Sequence, residues 1–193
     1  MFGWIFLAVL AAAAIAVASF YNTLVRRRND VDNAFAQIDV QLTRRYELIP
    51  NLVEVAKKYL QHEQETLTRV TAARNQAASA LQAAGENPEA LAQLARAEQA
   101  LNTQLGGLYA TFEAYPDLKA DRQMRDLQEE IASTENRVAF ARQHFNDSVT
   151  EYNNTAQQFP NNIIAALFNF RERQWLEIDD IAEKRQPVKV DFG

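Results

Sequence analysis

Two histidines, His62 and His144, and no cysteine stand in the 193-residue sequence, so the side chains that most often ligate metals or act as nucleophiles are scarce. Helical bundles can build di-iron centres from inward-facing glutamates and paired Glu-x-x-His motifs. Here the residues three positions before the histidines are Tyr59 and Ala141, so that motif is absent. His62-Glu63 does not open a His-Glu-x-x-His run, because position 66 is a threonine. Glu129 and Glu130 are adjacent, and neighbours on a helix point in different directions instead of converging on one substrate. No phosphate-cradling Gly-x-x-x-x-Gly-Lys loop and no Gly-x-Ser-x-Gly elbow occurs. Without cysteine there is also no disulfide framework or thiol chemistry. The expectation is a protein with no catalytic site, no cofactor and no bound metal.

The polar residues that invite attention are of another kind. Arg26, Arg27 and Arg28 form a basic run directly behind a long apolar stretch. Near a bilayer each such charge is worth about 1 kcal/mol against anionic headgroups. The net charge of −5 argues against nucleic acid as a partner, since that calls for a basic face. Arg45 interrupts an apolar seam and needs an acid; Glu98 and Glu135 are the candidates, with an interaction surface as the alternative. Several asparagines, Asn153 among them, lie close to buried positions, where an amide can fix register or simply cap a chain end.

These residues must be positioned by helices. Ala, Leu, Gln, Glu and Arg dominate, with five Gly and five Pro, a composition that favours long helices. Residues 2–20, FGWIFLAVLAAAAIAVASF, would span roughly 28 Å as a helix, close to the thickness of a hydrocarbon core. Trp4 and Tyr21 bracket this stretch, at the level where amphipathic aromatics prefer to sit. Ala16-Val17-Ala18 is an acceptable cleavage site, yet residues 2–25 hold no Lys or Arg, so the basic n-region of a signal peptide is missing. Positive charge behind the stretch holds the following domain inside. The expectation is an uncleaved single-pass anchor in the inner membrane, N-terminus outside and body cytoplasmic.

From Val31 onward apolar residues recur at steps of three and four over several heptads, interrupted by Arg45 and Glu63: Val31, Phe35, Ile38, Leu42, Ile49, Leu52, Ala56, Tyr59, Val70 and Ala77. This is a buried stripe with coiled-coil character. The pattern predicts one helix from about Leu24 to Ala83, kinked where Pro50 removes the bond to the carbonyl of Tyr46. Gly85 is expected to cap it, and Pro88 to start a second helix running to Phe112. A third helix is predicted over 118–157. After Pro160, with Asn161 as N-cap, a fourth helical stretch carries Ile163, Ile164, Leu167, Phe168, Trp175, Ile178 and Ile181. The tail from Pro187 to Phe192 alternates with period two, but a frayed terminus explains it as well as an added strand does. The organisation read from this is an anchor (1–25), a helical bundle (26–186) and an extended tail (187–193).

The stretches YNTLVRRRNDVDNAFAQIDVQLTRRYELIPNLVEVAKKYLQHE (21–63), EAYPDLKAD (113–121), LQEEIASTENRVAFARQHFNDSVTEYN (127–153) and FPNNIIAALFNF (159–170) resemble the LemA family in order, spacing and the preceding apolar segment. The resemblance implies an all-α fold: an N-terminal membrane helix followed by an antiparallel, coiled-coil-like bundle of three to four long helices. It also implies distant similarity to a protein of magnetosome membrane formation. The family has no established enzymatic activity and no agreed catalytic residues, so none is carried over.

Two functions compete. One is a membrane-anchored scaffold that self-associates and organises or shapes the bacterial membrane; the other is an adaptor for a second envelope protein, such as a membrane protease or a signalling partner. Helix lengths favour the first. A first helix of roughly 90 Å, a second of about 37 Å and a third of about 60 Å do not cover one another. The stripe Val31–Ile49 would then lack a partner within the chain. Val31, Phe35, Ile38, Leu42, Phe145, Tyr152, Phe159 and Phe168 are accordingly the expected contacts of a homo-oligomer.

Overall fold

The computed structural model describes residues 2–177, and every regular element among them is helical. The elements are α1 (Phe2–Lys57), α2 (Gln64–Glu86), a 3-10 turn at Pro88–Ala90, α3 (Leu91–Phe112), α4 (Pro116–Ala120), α5 (Arg122–Gln157) and α6 (Asn161–Leu167). They form two compact units. Of the described residues, one unit comprises Phe2–Ile38 with Ala139–Trp175, and the other comprises Asp39–Val138 with Leu176 and Glu177.

In the first unit α1 begins as an apolar rod whose side chains are exposed throughout residues 2–19. Among the described residues it is the one helix long and apolar enough to cross a membrane. The same helix then becomes amphipathic: Leu24, Val31, Ala34 and Ile38 are buried, while Arg26, Arg28, Asn29 and Asp30 between them face solvent. Their spacing of three, four and seven puts one stripe on one face. Ala141, Phe145, Val149, Tyr152 and Ala156 form the matching stripe of α5. The two helices run antiparallel, for Arg27 pairs with Glu151 at 2.6 Å while Phe35, further along α1, meets Phe145, earlier in α5, at 5.8 Å between ring centroids. After α6 the chain turns back along α5. Asn153 donates to the carbonyl of Arg173 at 2.9 Å and accepts from its amide at 3.0 Å, and Trp175 donates to Thr150 at 2.9 Å.

In the second unit α1 runs on through Pro50 and ends at Lys57. The expected helix to Ala83 is therefore two helices. Its end is made by tightened bonds, Lys58 N–H to Val55 and Tyr59 N–H to Ala56, at 3.2 and 3.0 Å. The turn is pinned by the fully buried Leu60 and by Tyr59, which donates to Asp121 at 2.9 Å. Lys57 and Lys58, at the C-terminal end of α1, suit the helix dipole. Then α2 and α3 pack as a hairpin over buried alanines and leucines: Leu67, Val70, Ala73, Ala77 and Ala80 from α2 face Leu91, Leu94, Leu101, Leu105 and Leu108 from α3. Small residues on one side and leucines on the other interdigitate closely. Here too α5 runs antiparallel to α1, with Arg44–Glu130 at 2.7 Å and Tyr59–Asp121 at the far end.

Several local expectations are corrected. Gly85 lies inside α2, which is capped instead by Asn87, whose N–H reaches the carbonyl of Ala83. Asn161 is the first helical residue, with Pro160 in the cap position, and its side-chain oxygen is buried without a partner among the described residues. The fourth helical stretch stops at Leu167, so Phe168 is its cap and Trp175 lies in the irregular return. Ile178, Ile181 and the alternating tail 187–193 lie outside the described residues.

Candidate functional site

Two clusters of functional-looking side chains result, one in each unit. In the first unit, the anchor's end meets α6. Leu24, Ala156, Ile164 and Ala165 form a buried cluster on which Phe20 and Phe170 pack. The ring of Tyr21 stacks edge-on against Phe168 at 4.9 Å and Phe170 at 5.5 Å, and the Arg28 guanidinium lies 5.4 Å from the centre of Phe170. Cation and ring face attract through the ring's quadrupole, and such contacts cost little hydration for an arginine. Arg27 bonds Glu151, while Arg26 and Arg28 remain exposed. Trp4 is 80 % exposed on the apolar rod. Tyr21 and Arg26–Arg28 are therefore placed side by side at the base of that rod.

In the second unit, Arg45 is buried to 2 % exposure, as is Glu98. The guanidinium donates to Glu98 Oε2 at 3.0 Å, to Glu135 Oε1 at 3.0 Å and to the side-chain oxygen of Asn102. Both acids expected from the sequence are thus engaged. Tyr46, the next residue on α1, donates its phenol to the second oxygen of Glu98. Burial, and then the Glu98 charge, pushes the Tyr46 phenol far above the ordinary tyrosine range. Tyr109 is pushed up to about 12, by burial first and then by Glu135. Buried, and with one oxygen accepting from Arg45 and the other from Tyr46, the Glu98 carboxylate is held as a structural anion.

Pro50 gives this cluster an extra member. A proline has no N–H, so the carbonyl of Tyr46 receives no helical bond. Arg74 of α2 supplies the missing donor, Nε to Tyr46 O at 2.9 Å. The seam is readable from the sequence, but this crossing bond is not, since nothing in the spacing ties position 74 to position 46.

The residues expected to face other copies divide sharply. Val31, Ile38, Leu42, Phe145 and Tyr152 are at most 3 % exposed within one chain, and Phe35 packs on Phe145. The premise that the stripe Val31–Ile49 has no intrachain partner does not hold, because α1 stops at Lys57 and α5 lies along it. Phe159 and Phe168 are the exposed ones, at 80 % and 48 %. His62 and His144 are not buried, and among the described residues no group of three His, Cys, Asp or Glu side chains comes together.

A long, exposed apolar N-terminal helix followed by packed helices describes a class of all-helical proteins carrying a membrane-anchor candidate. The chain belongs to the LemA family, whose family model matches residues 34–192. The match starts beyond the apolar rod. The chain is similar to Protein LemA of Metamycoplasma hominis, 26 % identical over 166 residues, covering 82 % of this chain and 73 % of that protein. It is also similar to Magnetosome protein MamQ 2 of Paramagnetospirillum magneticum, 21 % identical over 196 residues, covering 88 % and 72 %. Magnetosome protein MamQ 1 of the same organism matches to the same extent. LemA is not a known enzyme family.

Proposed function

We propose that this chain is a non-catalytic scaffold of the bacterial inner membrane, held by residues 2–20 with its body on the cytoplasmic side, which organises or shapes the membrane around it. The observation that carries the reading is that one unbroken helix passes from a wholly exposed apolar segment into the buried face of the first unit. Arg26–Arg28 behind an uncharged N-terminus support the orientation. The names of the two magnetosome relatives are in keeping with a membrane setting. Self-association, in this reading, runs through surfaces the fold leaves open, above all the apolar helix within the bilayer.

A second reading is favoured by the closed seam. A protomer whose heptad face is already covered suits an adaptor that stays small until an envelope partner arrives. Size in mild detergent over a hundredfold concentration range separates the two: assembly of the protein alone supports the scaffold, and a constant monomer supports the adaptor. Orientation is tested with Asn87→Cys, a clean probe because the chain has no cysteine. An impermeant thiol reagent should label it only after spheroplasts are lysed; labelling of intact spheroplasts overturns the cytoplasmic placement.

A further inference from the structure

Leu24 is one helical turn past Phe20, so the surface it shares with α6 lies about 6 Å along α1 from the end of the apolar stretch. On that surface α6 is two-faced. Ile164 and Ala165 pack down onto Leu24 and Ala156. On the other face Ile163 and Leu167, four residues apart, are 56 % and 71 % exposed, and Phe159, in the turn before α6, is 80 % exposed. Isolated exposed apolar residues are ordinary, but several on and beside so short an element are not, and such groups mark an interaction surface. Phe168 extends the group to the ring of Tyr21, so the patch is continuous with the side of the anchor.

We infer that α6, with Phe159 and Phe168 at its ends, lies in the interfacial layer of the bilayer and forms a second membrane contact. This rests on the reading of residues 2–20 as a membrane anchor. The occupant of the patch is lipid, for three reasons. The patch adjoins the end of the apolar stretch, where the acyl chains end. An interfacial helix lies at the boundary of headgroups and acyl chains, and the α6 surface is within about 6 Å of that boundary along α1. Arg26 and Arg28, exposed beside it, stand at the headgroup level, with Arg28 stacked over Phe170 so that the cation snorkels above an apolar base. A tilt of the anchor would then be opposed by withdrawal of α6 from the lipid, so the first unit is fixed against the membrane by two points instead of one.

The test uses full-length protein in liposomes of phosphatidylethanolamine and phosphatidylglycerol, with an environment-sensitive fluorophore on single cysteines. Probes go at Ile163→Cys and Leu167→Cys, with Leu10→Cys reporting the anchor. Phe140→Cys serves as the solvent reference; that side chain is 72 % exposed and lies about 24 Å along α5 from Ala156. Lipids carrying a quencher near the headgroup should quench the Ile163 and Leu167 probes at least about twofold more than the Phe140 probe. Quenchers deep in the acyl chains should act on the Leu10 probe. If Leu10 is quenched and the α6 probes behave like Phe140, the inference is overturned while the anchor stands. If Leu10 is not quenched, the anchor reading falls and takes the inference with it. If the α6 probes are shielded from lipid and water alike, and added empty lipid relieves the shielding, a second copy covers the patch and the inference is overturned.

Discussion

Arg74 reaches from α2 to the one carbonyl that Pro50 strips of its helical donor, that of Tyr46, at 2.9 Å. The helix is thereby repaired from outside, and the repair is also a bond between two helices. A charged donor to a buried acceptor is worth about 1.5–3 kcal/mol. Arg74→Met should lower the unfolding free energy by about that amount. In a Pro50→Ala background the loss should shrink to under about 1 kcal/mol, because the N–H restored by the alanine then competes for the same oxygen. Denaturant titration of the four proteins in the cycle checks this; equal losses in both backgrounds would contradict it.

The Arg45–Glu98 pair makes a second, opposite kind of prediction. Removing one partner of a buried pair leaves an uncompensated charge and costs about 3–5 kcal/mol. Glu98→Leu alone should therefore be severely destabilising, as should Arg45→Met. The double variant should recover most of the loss, since apolar residues of similar volume replace a buried pair with little net cost. Melting temperatures followed by helical circular dichroism give the comparison. The exposed Arg44–Glu130 pair, in contrast, should contribute no more than about 1 kcal/mol.

Raising the pH should act through Tyr46. Its phenol is held protonated in the fold, by burial first and then by the Glu98 carboxylate, above the unfolded value near about 10. The unfolded chain therefore sheds this proton first as the solution becomes alkaline. The sign follows: the contribution is present in full below about pH 10 and is lost as pH rises beyond it. Phenolate absorbance should show the Tyr46 signal, the one absent from Tyr46→Phe, appearing only together with loss of helix. Tyr46→Phe should flatten the alkaline decline, while lowering stability at neutral pH by about 1–3 kcal/mol because Glu98 loses a donor.

Gly106 and Gly107 lie within α3, and a Cβ added at either would meet nothing within 4 Å. Among the described residues, no neighbouring backbone uses the missing side chains. Replacing each with alanine should stabilise by roughly 0.5–1 kcal/mol, read as a rise in melting temperature. A fall at either position would mean that the glycine serves a partner outside the chain.

How much of this is legible in the sequence depends on whether a signal is local. The apolar rod, the seam Val31–Leu42, the helix end at Phe112 and the need of Arg45 for Glu98 or Glu135 follow from residue type and period. The turn at 58–63 is hard to see, because it contains neither glycine nor proline and the stripe, though interrupted at Glu63, resumes at Val70 and Ala77. It is set by Leu60 burying and Tyr59 bonding Asp121, contacts made far away in sequence. Missing that one turn has a large consequence. It makes the first helix too long and leaves the seam without a cover, which turns Val31, Ile38 and Leu42 towards other copies, whereas the chain itself buries them. Likewise the patch on α6 is legible only as apolar residues; which of them α1 and α5 cover requires the fold.

Leucine-rich helices are poor at telling one alignment from the next, since sliding by seven residues sets leucine against leucine again. In α3 such a slide would bring Leu91 or Leu105 to the place of Glu98, opposite Arg45. Neither can answer a buried guanidinium, so both misalignments leave Arg45 with only the half-exposed Glu135 and without its buried partner. A single acid among the leucines thus works as an index mark, making one of several nearly equivalent threadings the only one that closes without penalty.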